Sequence, residues 1–171
     1  MIWEDIYAAP GSEKIRLHAV RFISDGQVTS DIEIEKELAI ELEFWNLRDG
    51  AIVSSSIHLL DQMGGCVFAS GTSKKANLVH DEWYGKPHPV GLFKTTCVIP
   101  ANFLNNGGYS VHAIMITDTM NIEVAEKGVL SFNAHEAGTL REDYLGPIIG
   151  VVRPRLAWTT EPVQAGLEPS R

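Results

Sequence analysis

The chain has 171 residues, 44% of them hydrophobic and 21% charged, which suits one folded domain and excludes disorder throughout. With 22 acidic against 14 basic residues its formal net charge is -8, so phosphate backbones and anionic lipid surfaces are poor partners while neutral ligands remain open. No apolar run reaches the roughly 18 residues of a membrane span, and Met1–Asp5 lacks the basic and apolar segments of a signal peptide, so the expected address is the cytoplasm.

The stretch Met1–Glu13, with Pro10-Gly11, reads as a lead-in arm. Strand patterns then recur, separated by turn residues at the spacing of β-sandwiches. Lys14–Ser24 is the first, ended by the turn pair Asp25-Gly26, and Gln27–Ile34 is a short second piece. Leu38–Trp45 alternates with period two: Leu38, Ile40, Leu42 and Phe44 on one face, Ala39, Glu41, Glu43 and Trp45 on the other. Val53–Leu60 places Val53, Ser55, Ile57 and Leu59 against Ser54, Ser56 and His58. Cys66–Ser70 is a short strand, and Thr72–Pro89 a long polar loop of the kind that often carries function. Gly91–Ile99, Gly108–Asp118 and Val129–Asn133 complete seven main strands. Gly138–Arg155 breaks the rhythm with Gly146-Pro147 and Arg153-Pro154 around an apolar run, and residues 159–171 read as a disordered tail.

This pattern predicts an all-β, immunoglobulin-like antiparallel β-sandwich, one domain over 1–158 with a lead-in arm at 1–13 and a C-terminal strand segment at 138–158. Asn106-Gly107-Gly108-Tyr109 stands where a tyrosine corner falls, a Tyr whose hydroxyl bonds back to the upstream backbone; an ordinary core Tyr after a turn is the alternative.

Catalytic patterns are missing. Gly71-Thr72-Ser73-Lys74-Lys75 lacks the second glycine of a phosphate-binding loop, and neither a nucleophile elbow nor a HExxH pair occurs. His80, Asp81, Glu82 and His88 are the one dense group of metal-ligand types, in a loop without rigid spacing, so no metal and no cofactor is expected. Glu41 and Glu43 share a strand face but read as solvated surface, and Cys66 and Cys97 as small hydrophobes in a reducing compartment.

Two places have the chemistry of sugar binding. Trp83 and Tyr84 offer aromatic rings in a polar loop, although Trp83 could equally plug a sandwich edge. In an immunoglobulin-like order the third, sixth and seventh strands share a sheet. Its outward residues are then Ser54, Ser56 and His58; Ser110 and His112 with Ile114; and Ser131 and Asn133, a shallow trough of small hydroxyls, an amide and two imidazoles, with an ordinary solvated sheet face as the alternative.

Several segments resemble one family. They are Trp3-Glu4-Asp5 through Ala9-Pro10-Gly11; Ile15-Arg16-Leu17-His18-Ala19-Val20-Arg21; Ile57-His58-Leu59-Leu60-Asp61-Gln62-Met63-Gly64-Gly65; Cys97-Val98-Ile99-Pro100 with Asn102-Phe103-Leu104-Asn105-Asn106-Gly107-Gly108-Tyr109; and Gly150-Val151-Val152-Arg153-Pro154-Arg155-Leu156-Ala157-Trp158. Their order resembles the C-terminal domain of the Wzt-type ATP-binding subunit of polysaccharide ABC transporters. The resemblance implies a non-catalytic, often dimeric module. It would recognise an O-antigen-type glycan, commonly at its modified non-reducing end, on the cytoplasmic side before export. The partners implied are polysaccharide, a second copy, and the transporter's ATPase and permease subunits, without nucleic acid or membrane insertion. No ATPase domain is present in this sequence, and the family's sugar contacts vary with the glycan, so no binding residue is carried over. The competing reading is a structural module that dimerises or docks on a transporter or glycan-assembly complex and binds no sugar. Gly150–Trp158 follows a full set of seven strands, and an unpaired edge there would be satisfied by strand exchange in a homodimer, the alternative being that the segment folds back onto its own sheet.

Overall fold

The computed structural model describes residues 1–138, 148–154 and 156–160. Among them every regular element is a strand: β1 (Ile15–Ser24), β2 (Gln27–Val28), β3 (Asp31–Glu33), β4 (Leu38–Asn46), β5 (Ala51–Asp61), β6 (Cys66–Gly71), β7 (Pro87–His88), β8 (Gly91–Ile99), β9 (Gly107–Thr117) and β10 (Asn121–His135). No helix among the described residues is long and apolar enough to cross a membrane. One sheet has the order β2-β1-β4-β8; the other runs β3-β10-β9-β5-β6, with β7 pairing on β5. The third, sixth and seventh main strands (β5, β9 and β10) do share a sheet.

The two sheets bury their inward residues against each other. Leu38, Ile40, Leu42 and Phe44 of β4 meet Val53, Ile57 and Leu59 of β5 and Val111, Ala113 and Met115 of β9 in one cluster. Alternation on these strands runs as the sequence pattern predicts, because a residue on a pleated strand has only two directions to point. Phe22 of β1 meets Phe132 of β10 edge-on across the two sheets, 5.0 Å between ring centres.

The structure departs from the expected pattern in four places. First, Gln27–Ile34 is not one piece: β2 pairs with β1 in the first sheet, while β3 pairs with β10 in the second. The chain crosses between sheets there, and β3 lies parallel to β10, so pairing is not antiparallel throughout. Second, β10 extends well beyond Val129–Asn133, because two register irregularities absorb the break in alternation around Glu123 and Glu126–Val129. Third, β1 carries a bulge between Leu17 and Ala19, which puts Leu17 and Val20 on the same inner side. Fourth, the long loop is pinned at its exit. Pro87–His88 pairs with Ala51–Ile52, and the fully buried Asn46 side-chain amide donates to the carbonyls of His88, at 3.0 Å, and Pro89, at 2.8 Å.

The lead-in arm runs beside β1: Trp3 N–H donates to His18 O and Val20 N–H to Met1 O. Tyr109 forms the tyrosine corner, its hydroxyl 2.9 Å from Asn105 O. The same hydroxyl lies 3.0 Å from Val151 O. Residues 148–154 therefore dock beside the corner, with Val152 bridged to Leu104 and the Asn105 amide donating to the carbonyls of Ile148 and Gly150. Arg153 completes the attachment, donating from Nε to Asn105 Oδ1 and pairing with Glu136. Gly146-Pro147, Arg155 and residues 161–171 of the expected tail lie outside the described residues.

Candidate functional site

The outer face of the second sheet gathers seven of the nine candidate residues. Cross-strand register sets His58 of β5 directly opposite His112 of β9, with 6.3 Å between ring centres. Ser110 lies between Leu60 and Ser131, and Asn133 opposite Gly108. Both imidazoles are partly exposed on that face. Burial, the nearby His58 and the cation Lys127 together hold the His112 imidazole below the ordinary histidine range.

At the turn end of this face is a groove of about 420 Å³, lined by Asp61, Gln62, Gly108, Ser110, Ser131 and Asn133 among others. Gly108 is part of its lining: a Cβ there would stand at ordinary contact, 3.6 Å from Asn133 Oδ1 and 3.7 Å from Gln62 Cβ, and would take up some of the space. Asp61 is already engaged, its Oδ1 accepting from Met63 N–H and Gly65 N–H of the turn. Asp61, Gln62 and Gly108 were missed as candidates because they read as turn punctuation. The available clue was that a tight turn ending one strand and a Gly-Gly entry to its neighbour must meet when the strands pair, as Asp61 and Tyr109 do.

Ser54 and Ser56 lie farther along. Ser54 is opposite Ile116, which is opposite Ile122, and Ser56 is opposite Ile114, so this half of the face is apolar. Four residues of strand put Ser54 about 13 Å from His58. The Ser56 hydroxyl donates to Ser70 O at 2.9 Å.

Trp83 and Tyr84 are not brought to this face. Trp83 sits at the open edge between the sheets, its ring 5.1 Å from His88 and 5.3 Å, edge-on, from Phe93. Its relative exposure is 44%, so it covers an edge and still presents a surface. Beside it is a groove of about 260 Å³ whose lining includes Asp81, Trp83, His88 and Phe93. A further cleft of about 420 Å³, mostly apolar, opens between β8 and β6 over Ile40, Leu42, Ile57 and Cys97. Burial pushes the Cys97 thiol up, away from reactive thiolate character. Of the metal-ligand types in the loop, His88 is buried with Nδ1 3.0 Å from Lys86 O. No group of three or more His, Cys, Asp or Glu among the described residues could hold a metal ion.

No family model matches the chain, and no curated protein does. Among solved structures, it is similar to the C-terminal domain of wzt, with a TM-score of 0.69 at 10% identity over 94% of this chain and 98% of that one. This agrees, at the level of fold, with the resemblance read from the residues. The cupredoxin domain of amoB from Nitrosocaldus yellowstonii is matched at TM-score 0.42 and 10% identity, over 88% of this chain and 97% of that one. A bacterial adhesin from Mobiluncus mulieris reaches TM-score 0.42 and 10% identity, over 72% of this chain and 57% of that one. Likenesses that slight carry no functional argument.

Proposed function

We propose that the chain is a non-catalytic module that binds a bacterial surface polysaccharide of O-antigen type, at its non-reducing end, for export by an ABC transporter. The observation that carries this reading is the groove on the second sheet. Ser110, Ser131, Asn133 and Gln62 surround a space the size of a sugar unit or two with hydroxyls and amides, which both donate to and accept from sugar hydroxyls. The likeness of fold to the C-terminal domain of wzt supports the same reading. Under it the chain works on the cytoplasmic side of the inner membrane, as a homodimer beside the transporter's ATPase and permease. Trp83 packs on His88, which pairs with Ala51 at the end of β5 away from the groove, so under this reading Trp83 and its neighbour Tyr84 would serve a second contact with the glycan, separate from the groove.

A glycan array that includes purified polysaccharide from the source strain tests this. Binding that Ser110→Ala and Asn133→Ala weaken is the expected result. No binding to any glycan, with the fold intact, would leave the docking module as the better account. That second reading is favoured by Leu156 and Trp158, both largely exposed. Light scattering on the full chain addresses the dimer. Residues 148–154 are held by side chains of 103–109, a dock that a second copy's segment would fit equally well. A monomer at high micromolar concentration would end the exchange proposal.

A further inference from the structure

We infer that the glycan taken by this groove is anionic, carrying a carboxylate or a phosphate that sits against the His58–His112 pair. The inference rests on the sugar-binding reading and names the chemical class of its ligand.

The first support is a contrast within an acidic chain. Several cations elsewhere on the surface stand next to carboxylates: Lys14 with Glu123, Arg21 with Glu43, Lys36 with Asp25 and Glu33, Arg48 with Asp118, Lys94 with Glu41, whereas Lys74, Lys75 and Lys86 of the long loop have no such pair among the described residues. Among the described residues no carboxylate comes within ion-pair distance of His58, His112 or Lys127. Three basic groups thus converge on one face without an internal counter-ion.

The second support is how the backbone puts them there. Glu126 pairs with Ala113 and Leu130 with Val111, so residues 127–129 bulge opposite His112. Gly128 takes the left-handed φ of 57° that this bulge requires. The bulge carries exposed Lys127 at the level of the histidine pair. His112 is flanked on β5 by His58 and on β10 by Glu126 and Lys127. Glu126 pairs with inward Ala113 and so has the parity of the inner face, and Asp61, at the end of β5, is bound to its own turn.

Third, the repulsion has a chemical meaning. Burial first, and then the charges of the neighbouring His58 and Lys127, disfavour the protonated form of His112 and hold it low. An anion placed among them reverses the sign: it favours the imidazolium forms and receives charge-assisted hydrogen bonds from them. Ser110 is two residues from His112 on the same face, so a sugar in the groove brings a carboxylate or phosphate substituent within reach of the pair.

The test is a titration of the full chain followed by the ring resonances of His58 and His112 at pH 5.5 and 7.5. Three probes share a glucose ring: methyl glucuronoside, glucose 6-phosphate and methyl glucoside. The expected result is that one or both anionic probes shift both rings and raise the His112 pKa, several-fold more tightly at the lower pH. His58→Gln/His112→Gln, followed by the amide resonances of Ser110 and Asn133, should lose the preference for the anionic probes while keeping native amide dispersion, and Lys127→Ala should weaken it. Whichever anion acts identifies the carboxylate or the phosphate as the source. Rings untouched by both anions in the native chain, or an anion preference at the Ser110 and Asn133 amides that survives the double variant, would overturn the inference. A methyl glucoside response at Ser110 and Asn133 as strong as that of either anion would also overturn it, and would leave the sugar-binding reading standing. A glycan array blank for neutral and acidic glycans alike would remove that reading itself.

Discussion

The outer faces of the two sheets solve opposite problems with similar residues. On the first sheet Glu43 pairs with Arg21 at 2.6 Å and lies 3.7 Å from His18, whose ring packs on Trp45. Glu41 pairs with Lys94 at 2.9 Å. Charges there meet their complements, so the face has few donors or acceptors to spare. On the second sheet His58, His112 and the serines stand beside a groove without a carboxylate closing on the bases. A face whose charges satisfy each other has little left to offer a ligand, whereas bases without a carboxylate beside them can meet an external one. Residue type alone does not distinguish the two: each face carries histidine, and only register and neighbours separate His18 from His58.

Both faces hang on one core, and the largest expected effect tests that. Phe22→Ala removes the ring that meets Phe132 from the opposite sheet and should cost about 3–5 kcal/mol. Urea unfolding followed separately at the two faces should show one shifted midpoint; two midpoints would break the comparison, since the sheets would then be independent units. Trp83→Ala asks whether the edge belongs to the binding side. If the ring anchors glycan, affinity falls by about 1–3 kcal/mol with the melting temperature kept. A fall in melting temperature with affinity unchanged would restrict Trp83 to covering Phe93 and His88.

A smaller effect should appear as a pH dependence. Burial raises the Glu123 carboxyl, but hydrogen bonds from Ser12, Thr117 and Lys14 outweigh it and hold the group below its ordinary value. A depressed folded pKa gives stability that is present above the unfolded glutamate value of about 4.3 and is lost as pH falls through the folded one. Glu123→Gln should therefore flatten the acid limb of a stability–pH curve and leave glycan binding at neutral pH unchanged. Least of all, Lys94→Ala on the ion-paired face should change stability by only about 0.2–1 kcal/mol and should not alter glycan affinity, as calorimetry would show. A clear loss of affinity would mean that the wrong face had been chosen.

Much of the frame was legible wherever alternation was clean. Leu38–Phe44 and Tyr109–Met115 declare their inner sides because polar and apolar residues interchange at every step, and pairing β5 with β9 then brings His58 to His112. Legibility failed where one residue does two jobs. Gln27–Ile34 looks like a single strand, yet its halves serve different sheets, and nothing local marks a crossing. The charged stretch from Glu123 to Gly128 hides the length of β10, since irregular pairing tolerates what regular pairing would not. Asn46 and Asn105 look like turn residues. Their work is done on carbonyls of residues 88–89 and 148–150, some 40 positions away, which local pattern cannot reveal. The groove was only half legible for the same reason: Ser110, Ser131 and Asn133 follow from strand parity, while Asp61, Gln62 and Gly108 belong to turns whose meeting depends on the sheet.

The bulge in β1 has a consequence for how chains of this shape should be compared with one another. Before it the inner positions are odd-numbered, Ile15 and Leu17; after it they are even-numbered, Val20, Phe22 and Ser24. The strand thus contains a change of reading frame. An alignment that forbids a gap at residues 18–19 will match core positions to surface positions on one side of the bulge whenever the other chain lacks it. Identity between such chains would be undercounted within this strand even where every core contact is kept.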